Sequence, residues 1–375
     1  MTGDCITAIT MPKWGMTESD GKLVAWLVEE GEAVAAMDEI VEMETTKITG
    51  AIEAPEGGTV RRLVAKPGDV VPIGGLLAVM AGEDVPQAEI DAFVDAFEAP
   101  ESKSGGGEGA GDVAVIEAGG HSLRVRSLGE GEATPIVLIH GFGGDLDAWL
   151  FNQEALAVDR RVHAIELPGH GQSSKSVGDG GPDALGAAVS AAIDALGLKR
   201  VVLIGQSMGG ALALDLALAR PGLAAGVVLV GGAGLGEEID GAFLEAFGSA
   251  DRRKEMKAAL QSLFADPALV NRNVVEGALR NRRLEGAAEA LEAIRAAWFP
   301  GGRQAHVLAG RLGEIEAPIL ALWGVEDRII PAVHAKAVEG RGEIALIEGV
   351  GHMVQMEAAG EVNRHIRAFV AGLED

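Results

Sequence analysis

The sequence predicts two folded parts: a small all-β domain, then a larger α/β domain whose mainly parallel sheet is covered by helices on both faces. Three observations predict this. Before residue 83, two strand-rich halves resemble each other; from Glu101 to Gly111 runs "ESKSGGGEGAG", too poor in apolar residues to fold; beyond it, short apolar runs alternate with helix-length stretches. A chain of 375 residues exceeds one average domain, and 48% hydrophobic content is ample for packed cores.

The small domain comes first. "GKLVAWLVEEGEAV" from Gly21 matches "GTVRRLVAKPGDVV" from Gly58 at a constant offset of 37. Leu23 falls on Val60, Trp26 on Leu63, Gly31 on Gly68, Val34 on Val71 and Ile40 on Leu77. Both halves alternate apolar and polar residues around a glycine turn, which is strand patterning. Two such halves imply a β sandwich or flattened barrel with quasi-twofold symmetry. The stretch "VEMETTKITG" (41–50) ends the first half, so Lys47 is expected at the tip of the hairpin that joins them. Next, "EDVPQAEIDAFVDAFEAP" spaces Ile90, Phe93, Val94 and Phe97 as a short amphipathic helix. The glycines of 101–111 then read as a flexible linker. The expected boundaries are 1–82, 83–111 for helix and linker, and 112–375.

The small domain resembles the lipoyl domains of 2-oxo acid dehydrogenase complexes, on Gly31, "EIVEMETTKI" (39–48) and "APEGGTV" (54–60). The resemblance implies lipoate in amide linkage on Lys47. Sibling biotinyl domains carry Met-Lys-Met, whereas Thr46 and Ile48 flank this lysine. An ordinary exposed lysine is the bland alternative. Acylating the amine removes a positive charge, and Glu39, Glu42 and Glu44 nearby would leave an acidic face suited to a basic partner surface.

In the large domain, "VAVIEAG" and "LRVRSL" read as a hairpin. "PIVLIH" (135–140), "RVHAIEL" (161–167), "VVLIG" (201–205), "GVVLVGG" (226–232), "PILALWG" (318–324) and "EIALIEG" (343–349) read as buried strands, with helices such as 184–198 and 211–220 between them. At the end of "VVLIG", Gly205, Ser207 and Gly209 form G-x-S-x-G between a strand and a helix. That context makes a nucleophile elbow, and glycines beside the serine relieve the turn of bulk. "IHGFGG" (139–144) can offer the Phe142 N–H beside that of Met208 as an oxyanion hole. "WGVEDRIIP" puts Asp327 after the next-to-last strand, and "EGVGHMVQME" puts His352 after the last. The order Ser207, Asp327, His352 resembles the α/β-hydrolase superfamily over nearly all of 112–375. His352 is expected to take the serine proton, with Asp327 fixing the imidazole tautomer. Glu326 is the rival acid, but alternation along an extended segment points it away. His140 and His170 read as structural. Metal-ligand spacing is missing, so no metal is expected.

Residues 235–308 interrupt the strands with helix-like sequence, the expected helical lid. Within it cluster Arg252, Arg253, Lys254, Lys257, Arg280, Arg282 and Arg283. Such a run is ordinarily a solvated face. It would also suit a phosphate-bearing acceptor such as coenzyme A, or the acidic lipoyl domain.

The formal net charge of −25 argues against nucleic acid and anionic membrane as partners. Cys5 is the single cysteine, so no intrachain disulfide can form. No secretory leader or membrane span is read, and the cytoplasm is the expected compartment. As a whole, the architecture resembles the acetyltransferase components of bacterial acetoin dehydrogenase complexes. That implies acetyl transfer from dihydrolipoamide to coenzyme A, with partners that are thiamine-diphosphate-dependent dehydrogenase subunits and dihydrolipoamide dehydrogenase, and a homo-oligomer. The H-x-x-x-D-G signature and the subunit-binding domain of the usual acyltransferases are missing, so their mechanism is not carried over. A serine hydrolase (thioesterase, esterase or C–C hydrolase) that carries a lipoyl domain for a partner is the alternative. About eleven flexible residues span of order 20 Å, and such a tether sets a local concentration in about the millimolar range.

Overall fold

The 37-residue repeat reappears as strand pairing. The computed structural model describes residues 6–11, 21–35, 38–44, 49–55, 57–72, 74–82, 85–97 and 112–373, and divides into two units, Met1–Gly107 and Glu108–Asp375. The first unit holds β1 (Thr7–Thr10), β2 (Gly21–Trp26), β3 (Ala33–Val34), β4 (Glu39–Glu44), β5 (Thr49–Glu53), β6 (Gly58–Leu63), β7 (Val70–Val71) and β8 (Leu76–Ala81). Adding 37 carries β2 onto β6, β3 onto β7 and β4 onto β8. The two four-stranded sheets run β1-β8-β6-β3 and β5-β4-β2-β7. Exchanging the repeat partners, with β1 for β5, converts one order into the other.

The matched apolar pairs fill the space between the sheets. Leu23, Val60, Ile40 and Leu77 are fully buried, with Val34 and Val71 beside them. Gly31 and Gly68 both take positive φ (89° and 98°), which glycine adopts without strain. Their N–H groups donate to Val60 O and Leu23 O, themselves repeat partners. Glu44 pairs with Thr49 across β4 and β5. Lys47 and the expected hairpin tip fall between those two residues, outside the described ones. The amphipathic helix is α1 (Gln87–Ala96). It buries Ile90 with Val85 and Val79 of the same unit, and the Arg61 guanidinium donates to Val85 O at 3.1 Å.

The second unit carries β9 (Asp112–Ala118), β10 (His121–Leu128), β11 (Ile136–Ile139), β12 (Val162–Ile165), β13 (Val201–Gln206), β14 (Ala224–Val230), β15 (Ile319–Gly324) and β16 (Gly342–Ile347). They form one sheet in the order β16-β15-β14-β13-β11-β12-β10-β9. From β12 to β16 the pairs are parallel, and β10 joins β12 and β9 antiparallel. The helices are α2 (Gln153–Leu156), α3 (Pro182–Ala195), α4 (Met208–Ala219), α5 (Gly241–Ser249), α6 (Arg253–Gln261), α7 (Arg272–Arg282), α8 (Ala287–Trp298), α9 (Val354–Glu357) and α10 (Ala359–Ala371). Leu185, Val189, Leu212 and Leu216 of α3 and α4 belong to one core, while Val362, Ile366 and Phe369 of α10 belong to another. A sheet covered on both faces needs strands without alternation, and β11, β12, β13 and β15 are buried at every position. Because β13, β15 and β16 are parallel, the loops that follow them share one edge. The helices α5 to α8 lie in sequence between β14 and β15, where the lid was expected. Among the described residues no helix is long and apolar enough to cross a membrane.

Candidate active site

Ser207 sits between β13 and α4 with φ 52° and ψ −123°, the one non-glycine residue with positive φ among those described. Such a conformation costs about 1–3 kcal/mol, so its surroundings must enforce it. The Ser207 N–H donates to Val230 O at 3.1 Å, and its carbonyl accepts from Gly210 and Ala233, both at 2.8 Å. The flanking glycines are sterically required. A Cβ at Gly205 would lie 2.1 Å from Gly209 O; one at Gly209 would lie 2.3 Å from Ile139 O and 2.7 Å from His140 O. These obstacles are backbone atoms and cannot swing aside. Gly209→Ala is therefore expected to destabilise the domain by about 3 kcal/mol or more, read as a lower urea midpoint; an unchanged midpoint would contradict this packing.

Asp327 follows β15 and His352 follows β16, as the sequence placed them. His352 Nδ1 and Asp327 Oδ2 are 2.8 Å apart, both side chains being nearly inaccessible to solvent. A carboxylate only accepts, so Nδ1 carries the proton and Nε2 presents its lone pair. The other carboxylate oxygen, Oδ1, accepts from the N–H groups of Ile329 (2.8 Å) and Ile330 (2.9 Å). Asp327 is thereby held at three points. Glu326 is occupied elsewhere: its Oε2 accepts from Val350 N at 3.0 Å, bracing the loop that leads to His352.

Ser207, His352 and Phe142 line one cavity of about 100 Å³. Phe142 N–H and Met208 N–H find no backbone acceptor among the described residues, as two donors reserved for an oxyanion would require. The walls are aromatic. Phe142 meets Phe247 and Phe299 edge to face at 6.1 Å each, and Phe243 lies 5.8 Å from Phe247. Phe243 and Phe247 come from α5, and Leu260 from α6. Leu263, just past α6, lines the cavity too, and its carbonyl accepts from His352 N at 2.8 Å. The insertion thus both roofs the cavity and anchors the histidine's backbone. Sequence reasoning missed these aromatic residues and Leu263. "AFLEAF" carried a faint signal in its two phenylalanines; nothing local marks Leu263.

His140 and His170 are structural. His140 Nε2 accepts from Leu167 N at 3.0 Å, and its Nδ1 donates to Gly141 O at 2.8 Å. His170 Nδ1 donates to Pro168 O at 2.9 Å. Burial lowers His140 and His163 from the ordinary 6.5 to about 4, and His170 to about 3. Above pH 6.5 these rings are neutral in folded and unfolded chain alike. As pH falls from 6.5 towards 4 the unfolded chain takes up protons that the folded one refuses, so this contribution to stability is lost. Burial raises the carboxyl of Glu166, which acts in the opposite sense. His163→Asn should therefore flatten the rise of unfolding free energy between pH 5 and pH 6.5 by up to about one proton, measured by urea titration; an unchanged slope would contradict the assignment. Among the described residues no group of His, Cys, Asp and Glu could hold a metal ion.

A strained serine after β13 and a histidine paired with a buried carboxylate, in this chain order and on this sheet, are the arrangement of the α/β-hydrolase class. The alpha/beta hydrolase fold family matches residues 134–359, and the biotin-requiring enzyme (biotin/lipoyl) family matches residues 7–80. A meta-cleavage product hydrolase from Pseudomonas fluorescens IP01 superposes with TM-score 0.63 at 24% identity, covering 70% of this chain and 98% of its own, which shows the fold. The dihydrolipoyllysine-residue acetyltransferase component of the acetoin cleaving system from Pseudomonas putida is 45% identical over 97% of this chain and 98% of its own length. Its Cupriavidus necator counterpart is 39% identical over 98% of both. The chain belongs to this family of acetyltransferase components.

Proposed function

We propose that the chain moves an acetyl group from S-acetyl-dihydrolipoyl-Lys47 to coenzyme A by way of Ser207. The observation that carries this reading is the Asp327–His352 pair, whose histidine lines one cavity with the strained Ser207, on a chain that also holds a lipoyl-type domain. Lipoate on Lys47 is supported by the antiparallel β4–β5 ribbon, whose last pair, Glu44 and Thr49, brackets the lysine in sequence.

His352 Nε2 takes the Ser207 proton as Oγ attacks the thioester carbonyl carbon. Phe142 N–H and Met208 N–H stabilise the oxyanion. When the C–S bond breaks, His352 returns its proton to the leaving sulfur, and the acetyl group is an ester of Ser207. In the second half His352 takes the proton of the acceptor thiol, the thiolate attacks the ester, and Ser207 Oγ recovers the proton. Asp327 stabilises the imidazolium in both halves. A cavity of about 100 Å³, well below the roughly 300–1,000 Å³ of drug-sized sites, suits a small acyl group. In this reading residues 1–82 carry, 83–111 tether, and 112–375 catalyse under the lid at 235–308. The partners are the thiamine-diphosphate-dependent subunits that generate the acyl group and the dihydrolipoamide dehydrogenase that reoxidises the arm, in the cytoplasm, with the chain as a homo-oligomer.

Hydrolysis is the second reading, favoured by the large domain's likeness to 2-hydroxy-6-oxo-6-phenylhexa-2,4-dienoate hydrolase of Comamonas testosteroni, at 31% identity over 64% of this chain and 88% of that one. Acetylated lipoyl chain assayed with and without coenzyme A separates the two. Acetyl-CoA as the main product supports transfer; acetate at one rate regardless of thiol supports hydrolysis.

A further inference from the structure

Between Arg252 and Arg283 eight arginines and lysines stand against three acids, Glu255, Asp266 and Glu276, in a chain of net charge −25. Ion pairing uses only part of this excess. Arg253 and Arg272 share Glu276, and Arg282 meets Asp251 at 3.3 Å. Arg252, Lys254, Lys257, Arg280 and Arg283 are exposed and make no ion pair among the described residues. Helix electrostatics accounts for only some of them. Arg280 and Arg282 suit the C-terminal turn of α7, but Arg252, Arg253 and Lys254 crowd the N-terminal turn of α6, where the helix dipole opposes positive charge.

One of these helices lines the cavity and the other is bonded to a loop residue beside it. Leu260 of α6 and Leu263 beyond it line the cavity, and Asn281 in the last turn of α7 donates to Asp145 Oδ2 at 2.6 Å, next to the cavity residue Gly144. Arg282, beside Asn281, keeps its Nη1 buried without an acceptor. The cavity itself, about 100 Å³, cannot admit a nucleotide, so a nucleotide-bearing thiol would enter only by its thiol end.

We propose that the basic rim formed by α6 and the end of α7 binds the phosphates of the acceptor thiol, holding its nucleotide outside while the thiol reaches Ser207. The proposal rests on the acyl-transfer reading for its substrate. Arginine forks match phosphate oxygens two at a time, and lysine adds point charge.

The test compares wild type with Arg280→Gln/Arg283→Gln and with Lys257→Gln, all at exposed positions. Two acceptors are used: coenzyme A and pantetheine, the same thiol without phosphates. The double variant should lose about 10–100-fold in kcat/KM for coenzyme A and keep its pantetheine rate. Lys257→Gln should lose less, in the same pattern. Calorimetry with adenosine bisphosphate, the phosphate-bearing half of coenzyme A, should show binding to wild type that weakens in the variants and with added salt. Equal losses with both thiols, or unchanged nucleotide binding, would overturn the proposal. Slower transfer from a protein-borne donor, with coenzyme A and pantetheine affected alike, would assign the rim to an acidic protein and overturn it as well. Should wild type transfer to neither thiol, the transfer reading fails; nucleotide binding lost in the variants would still support the rim, and its absence would overturn it.

Discussion

Ser207→Ala should lower acetyl-CoA formation by about a thousandfold or more while leaving the urea midpoint unchanged. Removing a nucleophile that acts as one unit with its base costs nearly the whole of the covalent route, and what remains comes from binding and the oxyanion donors. Alanine at φ 52° is no more strained than serine there, so folding should survive. Asp327→Asn should cost about 10⁴-fold in kcat by favouring the wrong imidazole tautomer. In that variant an amide faces His352 Nδ1 across what is now a 2.8 Å contact, and an N–H pointing at the ring would place the proton on Nε2. Transfer retained within a few-fold in either variant would separate the chemistry from this site.

Lys47→Arg should abolish turnover that depends on the chain's own arm and leave the large domain's chemistry intact. Arginine keeps the charge but cannot form the amide that carries lipoate. Intact mass of the variant, expressed in a lipoylating host, should lack the adduct found on wild type. Free S-acetyl-dihydrolipoamide and coenzyme A should still react at a rate within about threefold of wild type, since Ser207, Asp327 and His352 are untouched. An adduct that persists in the variant would show that another residue carries it. A wild type without adduct would remove the carrier role.

The two-layer core of the small unit was legible because six of its eight strands are a set of three written twice. A strand period of two fixes which side chains face inward, and the repeat supplied an independent check at each matched pair, Leu23 with Val60 and Ile40 with Leu77. The site's skeleton was legible for another reason. Parallel strands deliver their following loops to one sheet edge, so Ser207, Asp327 and His352 could be related through the strands that precede them. Asp327 was preferred over Glu326 from its place after β15 and from an alternation that assumed an extended segment; residues 325 and 326 instead form a turn, and Glu326 is turned to accept from Val350 N.

What stayed hidden was made by contacts distant in sequence. Phe243, Phe247 and Phe299 look like helix-core residues until they meet Phe142 across the cavity. Leu263 acts through its carbonyl, which carries no sequence signature. The helix at 87–96, read beside the linker, packs through Ile90 onto Val79; its apolar stripe showed that a face is buried but not against what. The basic run was read as a solvated face or a landing site. Its charges lie partly against a helix dipole and beside the cavity wall, and neither relation is visible before the helices are placed.

The most direct measurement of the central claim is rapid-quench mass spectrometry of the peptide bearing Ser207, after mixing the holo chain with an acetyl donor. Without acceptor thiol, the peptide should carry one acetyl group, and coenzyme A added before the quench should discharge it into acetyl-CoA as fast as steady-state turnover. A peptide that never acquires the label while acetyl-CoA still accumulates would contradict an acyl group passing through Ser207.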